Sequence, residues 1–167
     1  MPGTTGRAWR AWRVVRPLRA IGAALAILAL PASASATLGS DTSSVDADRV
    51  RMQGALLRIT RSDAYTVHEV QSSSGTAVRE YVSSTGTVFA VAWQGPWLPD
   101  LRQLLGASFD DYQRALQTTP GKRRARGSLT IELPDLVVQI TGHPRAFSGR
   151  AYVPRLVPLR VQAESIR

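Results

Sequence analysis

The chain contains no cysteine. Disulfides, a thiolate zinc site, a cysteine nucleophile and a cysteine-borne lipid anchor are thereby excluded. Histidine is almost absent too: only His68 and His143 occur, 75 residues apart. Imidazole metal sites need three or four ligands, often with a local pair such as H-x-x-x-H, so neither a metal site nor a cofactor is expected. His68 lies in an alternating segment and shares a face with Thr66 and Val70, which predicts a sheet-surface residue. His143 precedes Pro144 in a turn. No G-x-S-x-G elbow is present: two positions before Ser148 stands Ala146, not glycine. Gly95-Pro96 joins a strand to a helix but lacks the further glycines and the lysine of a phosphate cradle. The acidic pairs Asp46/Asp48 and Asp110/Asp111 fall in predicted first turns of helices, where capping and the helix dipole account for them. No catalytic residue is assigned.

The 167 residues carry 21 basic and 12 acidic side chains, a net charge of +9, and 44% are hydrophobic. That composition predicts one folded domain. The charge is uneven. Arg7, Arg10, Arg13, Arg16 and Arg19 open the chain with no acid among them, and an apolar run over 20–30 follows. Pro31 and the small residues 32–36 come next. A basic stretch, a short apolar core and an A-x-A site form the pattern of a secretory signal. The core is shorter than the roughly 20 residues a helix needs to span a bilayer, which disfavours an uncleaved anchor. Residues 1–36 are therefore read as a cleaved Sec-type signal peptide, cut before Thr37 or, as second choice, after Ala34. No Arg-Arg pair points to twin-arginine export. Loss of those five arginines lowers the net charge from +9 to +4, and Lys122, Arg123, Arg124 and Arg126 account for that remainder. Nucleic-acid binding is not expected.

Residues 37–167 read as a single α+β domain. A helix is expected over 46–57, capped by Ser43 or Ser44, although Gly54 permits a strand from Ala55 instead. Alternating strands over 64–71 and 76–83, and an apolar strand over 87–93, are joined by Gly-bearing turns as a meander. The third strand has no polar face and should be central or covered on both sides. Residues 98–116 carry an apolar helical stripe that Gly106 divides. Residues 118–127 form a polar, basic, exposed loop. Strands over 128–133, 136–141 and 146–153 complete an antiparallel sheet with helices on one face, and Gly149 marks a bulge or close approach. Pro154 and Pro158 keep the tail extended.

Several segments in the same order resemble a family of exported proteobacterial proteins classed as a domain of unknown function. They are Tyr65-Thr-Val-His-Glu-Val-Gln71, Val78-Arg-Glu-Tyr-Val82, Val88-Phe-Ala-Val-Ala-Trp-Gln-Gly-Pro96, Leu98-Pro-Asp-Leu-Arg-Gln-Leu-Leu-Gly106 and Arg145-Ala-Phe-Ser-Gly-Arg-Ala-Tyr-Val-Pro154. The resemblance starts at Ala36 and runs to the C-terminus. It implies a bacterial, exported, single-domain protein and carries no activity or catalytic residues.

Trp97, between Pro96 and Pro99, is the leading surface-recognition residue, since aromatics beside rigid backbone are common interface anchors. The bland expectation is a staple fixing the helix against the sheet. Arg79, Arg150 and Tyr152 join the binding candidates if the last strand pairs nearby. Lys122, Arg123, Arg124 and Arg126 are weak candidates for contact with an anionic surface and are first read as a solvated loop. The sequence thus points to an exported, periplasmic or secreted, non-enzymatic binding or accessory domain of the bacterial envelope with an envelope protein as partner. Membrane contact is expected only transiently, through the signal peptide. Two alternatives stand: a metal-free hydrolase, and an inhibitor or chaperone-like module acting by edge-strand pairing.

Overall fold

The segment Val88–Gly95 offers no polar side chain before Gln94, so neither face suits water. The computed structural model, which describes residues 38–118 and 127–167, places it as the fourth strand of seven. In chain order the elements are α1 (Ser43–Arg51), β1 (Ala55–Arg61), β2 (Tyr65–Gln71), β3 (Ala77–Ser83), β4 (Val88–Gly95), α2 (Leu101–Leu105), α3 (Phe109–Thr118), β5 (Ser128–Leu133), β6 (Leu136–His143) and β7 (Ala146–Tyr152). The sheet runs β1-β2-β3-β4-β7-β6-β5, and every neighbouring pair is antiparallel. It is two meanders, β1–β4 and β5–β7, joined along β4 and β7. The expected signal peptide over 1–36 and the run Lys122–Arg126 lie outside the described residues.

Side chains alternate across this sheet, so register decides what each face carries. On the helix side Val78, Val82, Val91 and Trp93 pack with Leu104 and Leu105. On the other side Tyr81, Phe89, Ala90 and Ala92 pack with Ile166 of the C-terminal tail. A bulge at Phe89 permits this. Tyr81 pairs with Ala90 and Val82 with Val88, which leaves Phe89 as the extra residue on the tail side.

The helix expected over 46–57 is instead a shorter helix followed by a strand. Asp41, not Ser43 or Ser44, closes its start: the Asp41 carboxylate accepts from the Ser43 amide (2.7 Å), and the Ser44 hydroxyl donates to the Asp41 carbonyl (2.5 Å). Hydrogen bonds from the Ser43 side chain and amide hold the Asp41 carboxyl below its usual range. The helix stops where Gln53 takes φ 47° and Gly54 meets β2. A Cβ on Gly54 would lie 2.6 Å from Val70, so this position admits only glycine without movement. Asp48 is also not a first-turn residue facing water. It lies one turn further on and is buried.

Gly106 divides the second helical segment as its sequence indicates, with a 3-10 turn over Gly106–Ser108 between α2 and α3. Asp100 caps α2 by accepting from the amides of Arg102 (2.9 Å) and Gln103 (3.3 Å). The tail beyond β7 is not simply extended. It makes 3-10 turns at Pro154–Leu156 and Ala163–Ser165 and lies across the face opposite the helices.

Candidate functional site

Trp97 follows directly from the way β4 ends. Gly95 packs so closely on β3 that a Cβ there would lie 2.5 Å from the Thr76 Cα. Thr76 is buried, and its hydroxyl donates to the Trp97 carbonyl (2.8 Å) and accepts from the Trp97 amide (3.4 Å). The backbone of Trp97 is thus pinned to the sheet, yet the residue remains 60% exposed. This overturns the staple expectation, because a staple would be covered by the elements it joins. Leu98 is exposed as well and begins an apolar cleft of about 480 Å³. Tyr112 and Leu116 of α3, Leu129 of β5, Ile140 of β6 and Phe147 of β7 supply its walls. A volume in this range suits a small apolar ligand or a few side chains of a partner. His143 joins the lining, with Nδ1 3.1 Å from the Pro144 carbonyl.

Arg79, Arg150 and Tyr152 lie on the tail side of the sheet. Ala92 of β4 pairs with Arg79 on one flank and Arg150 on the other, so the two arginines share a row. Both turn their donors to the molecule itself. Arg79 bonds the Glu69 carboxylate (3.2 Å) and the Arg167 carbonyl (3.1 Å). Arg150 bonds Gln139 (2.7 Å) and the carbonyls of Ala163 (2.6 Å) and Ile166 (3.3 Å). Tyr152 packs in the cluster around Tyr81 and Phe89. These three side chains therefore hold the tail, and Trp97 stands apart from them beyond the Gly95 end of β4. Lys122, Arg123, Arg124 and Arg126 lie outside the described residues.

One constellation was not legible as a site in the sequence. Glu80 of β3 and Asp48 of α1 are each only 1% exposed. Their carboxyl groups are within hydrogen-bond reach of each other, and Asp48 also accepts from the Gln103 amide (2.5 Å). Neither Glu80 oxygen has a donor partner among the described residues. Two carboxylates cannot bond one another, so the contact requires that one be protonated. Burial first, and then the neighbouring Asp48 charge, push Glu80 up to about 9. Burial likewise raises Asp48 to about 6, opposed by its bond from Gln103. Glu80 is thus the donor and Asp48 the acceptor at neutral pH. His68 pairs directly with Glu80 across β2 and β3 on the helix side. It is half-buried on that face of β2, and desolvation lowers its pKa. The available sequence signal was parity: Glu80 alternates with Val78 and Val82, both of which are buried. Among the described residues no group of three or more acids and histidines is placed to hold a metal ion.

A family model described as Protein of unknown function (DUF2844) matches residues 34–166. No curated protein and no solved structure matches the chain. The chain belongs to the DUF2844 family of proteins of unknown function.

Proposed function

We propose that this chain is an exported, non-enzymatic binding domain of the bacterial envelope, and that Trp97 with the adjoining apolar cleft receives an apolar segment of an envelope protein. The observation that carries this reading is Trp97 itself, 60% exposed on a backbone fixed by the buried Thr76. An aromatic held ready in this way loses little conformational freedom on binding, which is how interface anchors gain affinity. The N-terminal basic and apolar segment supports export.

The test uses the chain produced in its own bacterium with a photo-crosslinker at position 98. A specific adduct in the periplasmic fraction, lost on Trp97→Ala and competed by the purified wild-type domain, supports the reading. The same adduct with Trp97→Ala removes it. N-terminal sequencing of the exported protein tests the address: Thr37 is expected first, and an intact Met1 in the cytosol overturns export.

A second reading, strand addition to a partner, is favoured by β1. Every residue of that strand is exposed, including Leu56, Leu57 and Ile59, and β1 stands at the end of the strand order. Such an edge is a template for another chain. Adducts formed through Ile59 and indifferent to Trp97→Ala favour it over the first reading.

A further inference from the structure

The helix α1 is poorly secured by apolar contacts. Of its residues only Ser44, Val45 and Asp48 are buried, and Val50 is 67% exposed. Val45 is its buried apolar residue, Met52 at its end packs half-buried on the core, and Asp48 is its buried polar tie, facing Glu80 of β3. We propose that the proton shared by Asp48 and Glu80 is a latch that holds α1 on the sheet, and that loss of this proton releases α1 and admits water to Glu80.

The argument rests on what surrounds the pair. Above Glu80, α1 presents Asp48, with Asp46 adding negative charge and Arg51 opposing it at Asp48. From the α2 side come the Gln103 amide and the Asp100 carboxylate, and the latter adds to the negative field at Asp48. On the flanking strands His68 of β2 pairs with Glu80, and β4 contributes Val91. No donor among the described residues reaches the Glu80 oxygens, so a charged Glu80 would be stranded in a dry layer facing a second carboxylate. A buried unpaired charge is among the costliest states a fold can hold. The escape is to lift the Asp48 side of α1 between its start, tied to the sheet by the Asp41–Thr87 bridge and the Thr42 bond to the Gly86 carbonyl (3.0 Å), and the turn at Gln53, φ 47°. Glu80 would then reach solvent on the face that already exposes Leu56 and Ile59, while Val78 and Val82 keep their packing with Leu104 and Leu105. The latch is shut in acid and at neutrality and opens as the medium becomes alkaline.

Hydrogen exchange of the purified protein tests this, with rates corrected for the intrinsic base catalysis of exchange. From about pH 7 to about pH 10, protection of α1 amides should fall about tenfold or more while β4 amides hold theirs, as expected for local opening. Glu80→Gln should abolish that fall, because the new amide donates permanently to Asp48. Unchanged α1 protection in the wild type, or an equal fall in Glu80→Gln, overturns the proposal. Should Glu80→Gln fail to fold, the infrared carbonyl band of a protonated buried carboxyl in the wild type decides. Its presence at neutral pH and loss together with α1 protection supports the latch, and its absence at neutral pH overturns it.

Discussion

Trp93 lies across Gly149 in the pair of strands that joins the two meanders. A Cβ at Gly149 would sit 2.4 Å from the indole Cζ2, and the two residues are register partners of β4 and β7. The bare backbone of Gly149 is therefore the floor on which the largest fully buried side chain among the described residues rests. Gly149→Ala should displace the ring and destabilise the domain by roughly 1–3 kcal/mol, the usual cost of overpacking. Denaturant unfolding measures the loss, and the near-ultraviolet circular dichroism of Trp93 should change with it.

Trp97 should behave in the opposite way. Because its ring is exposed, Trp97→Ala should alter stability by no more than about 0.5 kcal/mol. Thr76→Val, which removes two part-buried hydrogen bonds to the Trp97 backbone, should cost about 1–2 kcal/mol, since the Trp97 amide and carbonyl lose these partners. Parallel unfolding curves of the two variants check the contrast.

Arg150 holds the tail through two carbonyls and is itself oriented by Gln139. Arg150→Met keeps much of the apolar stem and removes these bonds. We expect a loss of roughly 1–3 kcal/mol, the range for charge-assisted hydrogen bonds. Limited tryptic digestion should then cut after the exposed Arg160 faster than in the wild type. Equal digestion rates would show that Arg150 does not secure the tail.

Proton linkage gives a further expectation. The folded state raises Glu80 from 4.5 to about 9 and Asp48 from 3.8 to about 6. The folded protein thus binds more protons than the unfolded chain between the ordinary carboxylate range and about pH 9. Stability falls as pH rises through that window. His68 acts in the reverse sense: its lowered pKa makes the unfolded chain the better proton binder just below 6.5, so this contribution is lost as pH falls. Denaturation midpoints measured across the range should decline towards alkaline pH in the wild type and much less in Glu80→Gln.

Much of the sheet was legible because its signals are local. Alternation marked β2 and β3, the two-sided apolar run marked β4 as central, and Gly106 divided the helices where its φ of 49° now breaks them. Strand order was not legible, because nothing in the pattern of β7 says that it pairs with β4 and not with β3. The α1–β1 boundary was blurred for a related reason: Leu56 and Leu57 continue a helical spacing, and only the approach of Val70 to Gly54 ends it. The site divided along the same line. Trp97 was visible from its flanking prolines, while its exposure depended on how Thr76 grips the backbone. Asp48 looked like an ordinary first-turn acid, and its meeting with Glu80 is a product of tertiary packing alone.

The seam between β4 and β7 also governs the order of assembly. Strands β1 to β4 can pair in succession, each next to its predecessor. β4 then waits, greasy on both sides and with one rim of amides unmet, until more than fifty residues later β7 arrives. During that interval the half-built sheet is a sticky intermediate, open to capture by its own copies, and the last meander serves as the plug that ends the hazard.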